Sequence, residues 1–83
     1  MNNKVLVKIY VPKLEKEYEV YIYVGKKVGD VIILFSKMLI DASKGYYQYD
    51  NEILFNKVTG EKYNVELTIK KTNIRNGTEL VFI

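Results

Sequence analysis

Ile69-Lys70-Lys71-Thr72-Asn73-Ile74-Arg75-Asn76-Gly77-Thr78-Glu79-Leu80-Val81-Phe82-Ile83 organises the reading of the whole chain. It sets an apolar anchor, Ile69, ahead of a short polar turn that closes on Asn76-Gly77. Glycine adopts positive φ without steric cost and asparagine bonds readily to nearby backbone, so the pair marks a turn. Thr78 to Ile83 then reads as a final strand with Leu80 and Phe82 inward. Ile83, where the given sequence stops, is expected to stay hydrogen-bonded within a sheet.

Upstream, Val5, Val7, Ile9 and Val11 alternate with Lys4, Leu6, Lys8 and Tyr10, the period of a half-buried strand. Pro12 cannot donate to a sheet ladder and ends it. A second alternating run places Tyr18, Val20, Ile22 and Val24 on one face and Glu19, Tyr21 and Tyr23 on the other. The short charged loop between the runs predicts an antiparallel hairpin. After Gly25 the period changes. Val28, Val31, Phe35, Met38 or Leu39, and Ala42 recur at three- and four-residue steps, which predicts a helix with a broad apolar face ending near Gly45. Asp30 near its start and Lys44 near its end complement the helix dipole. Tyr46 to Asn51 reads as a loop and Ile53-Leu54-Phe55 as a short third strand. Lys57 to Glu61 reads as a turn, and Tyr63 opens a brief return strand.

Composition narrows the function. Eighty-three residues make one domain, spanning 1–83, and 48% hydrophobic content is enough for a single modest core. The chain has no cysteine and no histidine, which removes disulfides, thiolate metal sites and the commonest general base. No paired acid and base stands out, and Ser36 and Ser43 have no histidine to activate them, so neither an enzyme nor a metal or cofactor site is expected. The apolar run Val31 to Phe35 is far too short to span a membrane. Lys8 interrupts any hydrophobic leader after Met1-Asn2-Asn3-Lys4, so a cytoplasmic location is expected.

The order strand, strand, long helix, short strand, turn, terminal strand resembles that of ubiquitin-like β-grasp domains. Val28, Val31 and Phe35 have the spacing by which that family's helix packs on its sheet. Tyr63 and Ile69 stand where its two anchors precede the final turn. The resemblance implies an α+β fold with a mixed four- to five-stranded sheet packed on one long helix. The Gly-Gly tail by which conjugating members act does not follow Leu80-Val81-Phe82-Ile83, so the resemblance implies the shape of ubiquitin without its conjugation chemistry. Ile74-Arg75-Asn76-Gly77-Thr78-Glu79-Leu80 is similar to the ending of the YukD/EsaB group of small bacterial proteins associated with type VII secretion. That likeness implies a regulatory or accessory protein whose partner is a component of a membrane secretion machine. A longer helix and a tyrosine-rich loop depart from the group's pattern.

Residues between the inward ones should face outward. The open face of the sheet is then expected to carry Leu6, Tyr10, Tyr21, Tyr23, Leu54, Val81 and Ile83, an apolar and aromatic cluster suited to protein docking. The resemblance places Leu54 and Ile83 where ubiquitin presents its recognition patch, and on that assignment Leu54→Asp would spare the fold. Tyr46, Tyr47 and Tyr49 form a possible second binding loop or, alternatively, close the lower end of the core. A competing expectation is a small nucleic-acid-binding module that uses Lys26, Lys27, Lys70 and Lys71 with these tyrosines. The net charge of +3 is mild, and charges of both signs are interspersed, which disfavours it. A third reading is a self-associating structural module, pairing through an edge strand or the apolar patch, and the expected state is a monomer or weak homodimer.

Overall fold

Strand β1, Lys4–Val11, pairs antiparallel with β2, Lys16–Tyr23, in an unbroken register from Lys4↔Tyr23 to Val11↔Lys16. Pro12 ends β1 as expected and starts a 3-10 turn, Pro12–Leu14, which Glu15 closes with φ 52°. The computed structural model describes residues 3–83; Met1 and Asn2, part of the segment read as carrying no leader, lie outside them.

Helix α1, Val28–Ala42, follows the hairpin. No side chain caps its start. Instead the Val28 and Gly29 amides donate to the carbonyls of Leu67 (2.8 Å) and Val65 (3.0 Å), so a distant loop satisfies the donors a helix leaves open. Gly29 permits this approach, since a Cβ there would lie 3.3 Å from the Val65 carbonyl oxygen. At the other end the Gly45 amide, at φ 84°, donates to Ile40 O (2.8 Å) and stops the helix. Lys44 lies beyond the last turn with φ 55°, so it is not the dipole-compensating residue that the sequence suggested. The buried stripe is Val28, Val31, Ile32, Phe35, Ser36 and Leu39; Met38 is half-buried, and Ala42, expected inward, is exposed.

Strand β3 is Leu54–Asn56 and β4 is Glu79–Phe82. The sheet runs β2-β1-β4-β3, with β1 and β4 parallel and the other pairs antiparallel. It has four strands among the described residues. The return strand expected at Tyr63 is reduced to a single bridge, Phe55↔Lys62. Tyr63 and Ile69 are buried anchors as expected, and the Tyr63 hydroxyl donates to Asn73 Oδ1 (2.7 Å).

The closing stretch does what its turn chemistry predicts. Gly77, at φ 86°, donates its amide to Leu6 O, and Asn76 Oδ1 accepts the Leu6 amide, both at 2.8 Å. These bonds dock the turn on β1 before β4 begins. Leu80 and Phe82 are buried beneath α1 as expected. Ile83 is tied to Ile53 by a pair of backbone bonds, each 3.1 Å. The described chain is therefore an α+β mixed sheet covered on one face by one helix.

Phe35 is the pin between helix and sheet. Its ring meets Phe82 edge-on at 5.1 Å and Tyr18 at 5.9 Å, the T-shaped geometry that opposed ring quadrupoles favour. Phe35→Ala should lower unfolding free energy by about 3–5 kcal/mol in a denaturant titration; an unchanged midpoint would show that this ring is not a core group.

Candidate functional site

Register decides which side chains reach the open face. Residues opposed in an antiparallel pair point to the same side. Leu54 is opposite Phe82, which is buried, so Leu54 points inward and is only 1% exposed. This overturns its place in the expected patch: Leu54 is a core residue. Its neighbour Phe55, opposite Val81, is the β3 residue that reaches the outer face. Three consecutive apolar residues, Ile53, Leu54 and Phe55, contain no alternation from which the facing could be read. Leu54→Asp is accordingly expected to abolish the cooperative thermal transition in circular dichroism, whereas Phe55→Asp keeps it.

The other residues stand where expected. Leu6 and Val81 are half-buried on the outer face, and Tyr21, Tyr23 and Ile83 are 64%, 50% and 58% exposed. They do not form one continuous patch. Tyr21 opposes Leu6, and Lys4 Nζ lies 5.1 Å and 5.9 Å from the Tyr21 and Tyr23 ring centres, within cation–π range. Farther along, Tyr10 opposes Val81, which opposes Phe55, with Ile83 two residues on. Between these two apolar islands runs a charged row in which Lys8 faces Glu19 on one side and Glu79 on the other. Lys57 Nζ extends that row, 3.7 Å from Glu79 and 5.7 Å from the Tyr10 ring centre. The face thus offers two apolar footholds separated by a strip of alternating charge.

The tyrosine loop divides. Tyr47 is 1% exposed and its amide donates to Ser43 Oγ (2.8 Å), so it closes the core and is unavailable as a binding residue. Tyr49 stacks on Phe82 at 6.3 Å and donates its hydroxyl to Glu52 O (3.0 Å), while Tyr46 is exposed. Beneath them lies Glu52, a buried carboxylate that the sequence reading passed over. Its Oε2 pairs with Lys13 Nζ, and its Oε1 accepts the Asp50 amide (2.6 Å). Lys13 also donates to Gln48 O (2.9 Å), clipping the loop to the β1–β2 turn. Burial and the adjacent Glu52 carboxylate push the Tyr47 hydroxyl well above its ordinary value.

The basic residues gather elsewhere. The Ile69 and Lys70 amides donate to the carbonyls of Lys26 (2.8 Å) and Val24 (2.9 Å), bringing Lys26, Lys27, Lys70 and Lys71 to the end of the domain where β2 finishes. The tyrosine loop, held by Lys13, sits at the opposite end of β1, about 25 Å away for a strand of this length. The lysines and tyrosines of the nucleic-acid reading therefore do not form one surface.

No protein-family model and no curated protein sequence matches this chain. Solved structures do share its fold. The N-terminal ubiquitin-like domain of the 4931431F19Rik protein superposes with a TM-score of 0.75 at 16% identity, over 100% of this chain and 76% of that one. A structure of molecular mimicry of SUMO that promotes DNA repair gives 0.74 at 14% identity, over 100% and 94%. The ubiquitin-like domain of EccD5 from Mycobacterium xenopi gives 0.73 at 12%, over 99% and 97%. The fold is ubiquitin-like. At these identities the likeness is one of fold alone.

Glu52 generates a pH prediction. Burial raises its pKa, but the Lys13 ammonium and the Asp50 amide outweigh burial and hold the carboxyl below the usual range. Its contribution to stability is therefore present above the unfolded-state value, about 4.3, and is lost as pH falls through the lower folded-state value. Glu52→Gln should be less stable than wild type at pH 7 in urea titrations, with the gap narrowing below about pH 4. A gap that does not change with pH would show that the ion pair contributes nothing.

Proposed function

We propose that this chain is a non-conjugated ubiquitin-like protein-interaction module, an accessory or regulatory component of a bacterial type VII secretion system resembling the YukD/EsaB group. It works in the cytoplasm, without catalysis or a cofactor, by docking the open face of its sheet on a protein partner. The observation that carries this reading is the outer face itself. Tyr21, Tyr23 and Ile83 are large and exposed there, and among the described residues no element covers them. Aromatic side chains present broad contact area at low entropic cost, which suits them to an interface. The fold shared with the EccD5 domain supports the secretion context, and the Ile74-Arg75-Asn76-Gly77 turn supports the YukD-like assignment. No helix among the described residues is long and apolar enough to cross a membrane, so the membrane component of such a system would be the partner.

Affinity capture from detergent-solubilised source cells tests this. Wild type should recover a membrane secretion component identified by mass spectrometry. Tyr21→Ser and Phe55→Ser, one from each island, should remain folded and lose that component by at least about tenfold, the effect of removing a hot-spot residue. Equal recovery by wild type and both variants would move the site off the sheet, and recovery of RNA would replace the reading altogether.

A further inference from the structure

A helix that lays one face on a sheet normally turns a polar face to water. Helix α1 does not. Ile33 and Leu34 are each 53% exposed and Ile40 is 37% exposed, all on the side away from the buried stripe. Leu34 also rims an apolar groove of ≈ 220 Å³ between α1 and β2, which extends this surface toward Val20 and Met38. Asp30, Lys37 and Asp41 lie on the same stripe as Ile33 and Leu34, at three- and four-residue steps. All three charges are exposed, and among the described residues none is in an ion pair.

This stripe is complementary to itself. In an antiparallel two-fold pair, a residue that meets its counterpart does so reciprocally. With the two-fold axis at the level between Ile33 and Leu34, Asp30 of each copy comes opposite Lys37 of the other. Two Asp30–Lys37 pairs then match opposite charges, and the exposed Ile33 and Leu34 side chains face their counterparts across the axis. We infer that α1 is the homodimer interface of this protein, with two copies packed antiparallel about a two-fold axis between Ile33 and Leu34.

One 15-residue helix from each copy is about 22 Å long, so the contact is smaller than a standard interface and the dimer is weak and concentration-dependent. The pairing uses the side of the domain opposite the open sheet face. It leaves that face free and stands or falls independently of the proposed secretion role.

Charge swapping gives a specific test by sedimentation equilibrium, with folding checked by circular dichroism. Between about 10 µM and 1 mM, spanning the range of weak association, the wild-type mass should climb from 9.7 kDa toward twice that value. Asp30→Lys and Lys37→Asp should each remain at the monomer mass, because each places like charges opposite in its own pair. An equimolar mixture of the two should dimerise, since the lysine introduced in one variant then meets the aspartate introduced in the other. The double variant Asp30→Lys/Lys37→Asp should dimerise as wild type does. A wild type that stays monomeric at 1 mM, single variants that dimerise unchanged, or a mixture that stays monomeric would each overturn the proposal.

Discussion

Everything in this domain follows from the insertion of β4 between β1 and β3. A four-residue strand pairs parallel with β1 on one side and antiparallel with β3 on the other, and so carries Leu80 and Phe82 into the centre of the core. Parallel pairing requires a long crossover, which here comprises β2, the helix, β3 and the segment up to Thr78. The turn at Asn76-Gly77 makes the docking local again. Its asparagine side chain takes the Leu6 amide and its glycine amide takes the Leu6 carbonyl, so β1 finds partners before the strand itself begins. Once Phe82 is in place, Phe35 has a ring to pack against, and Tyr49 has a surface to stack on.

The same pairing sets the chemistry of the exposed sheet. Tyr10, Val81 and Phe55 align into one apolar foothold only because three strands meet in this register. The charged row of Glu19, Lys8, Glu79 and Lys57 comes from the same alignment, one rung along. Opposite charges across strands are mildly favourable, and they also restrict which partners can lie across the face. A partner that bridges both footholds must place compatible polar groups over that row.

The helix is tied at its start by a segment distant in sequence and at its end by the loop that follows it. The loop around Val65 and Leu67 supplies acceptors at its start, and the tyrosine loop, clipped by Glu52 and Lys13, follows its end. Between these ties the helix buries one stripe on the sheet and leaves a second aliphatic stripe uncovered.

Much of this was legible in residue order. The alternation in Val5 to Val11 and Tyr18 to Val24, the helical spacing from Val28 to Leu39 and the Asn76-Gly77 turn each carry a local signal of period or backbone conformation, and each element forms where that signal lies. The outward placement of Leu6, Tyr21, Tyr23, Val81 and Ile83 followed from the same alternation. Leu54 did not, because the apolar run Ile53-Leu54-Phe55 has no alternation and so no intrinsic facing, and only pairing with Phe82 turns Leu54 inward. Tyr47 and Tyr49 are alike in sequence. Burial against the Lys13–Glu52 pair makes one a core residue, and stacking on Phe82 holds the other at the surface. Hydrophobic period is a local property, so residue order suffices for the elements and for most of their inner faces. Shared surfaces are not local. They follow from strand register and from the tie at the helix start, which join segments far apart in the chain.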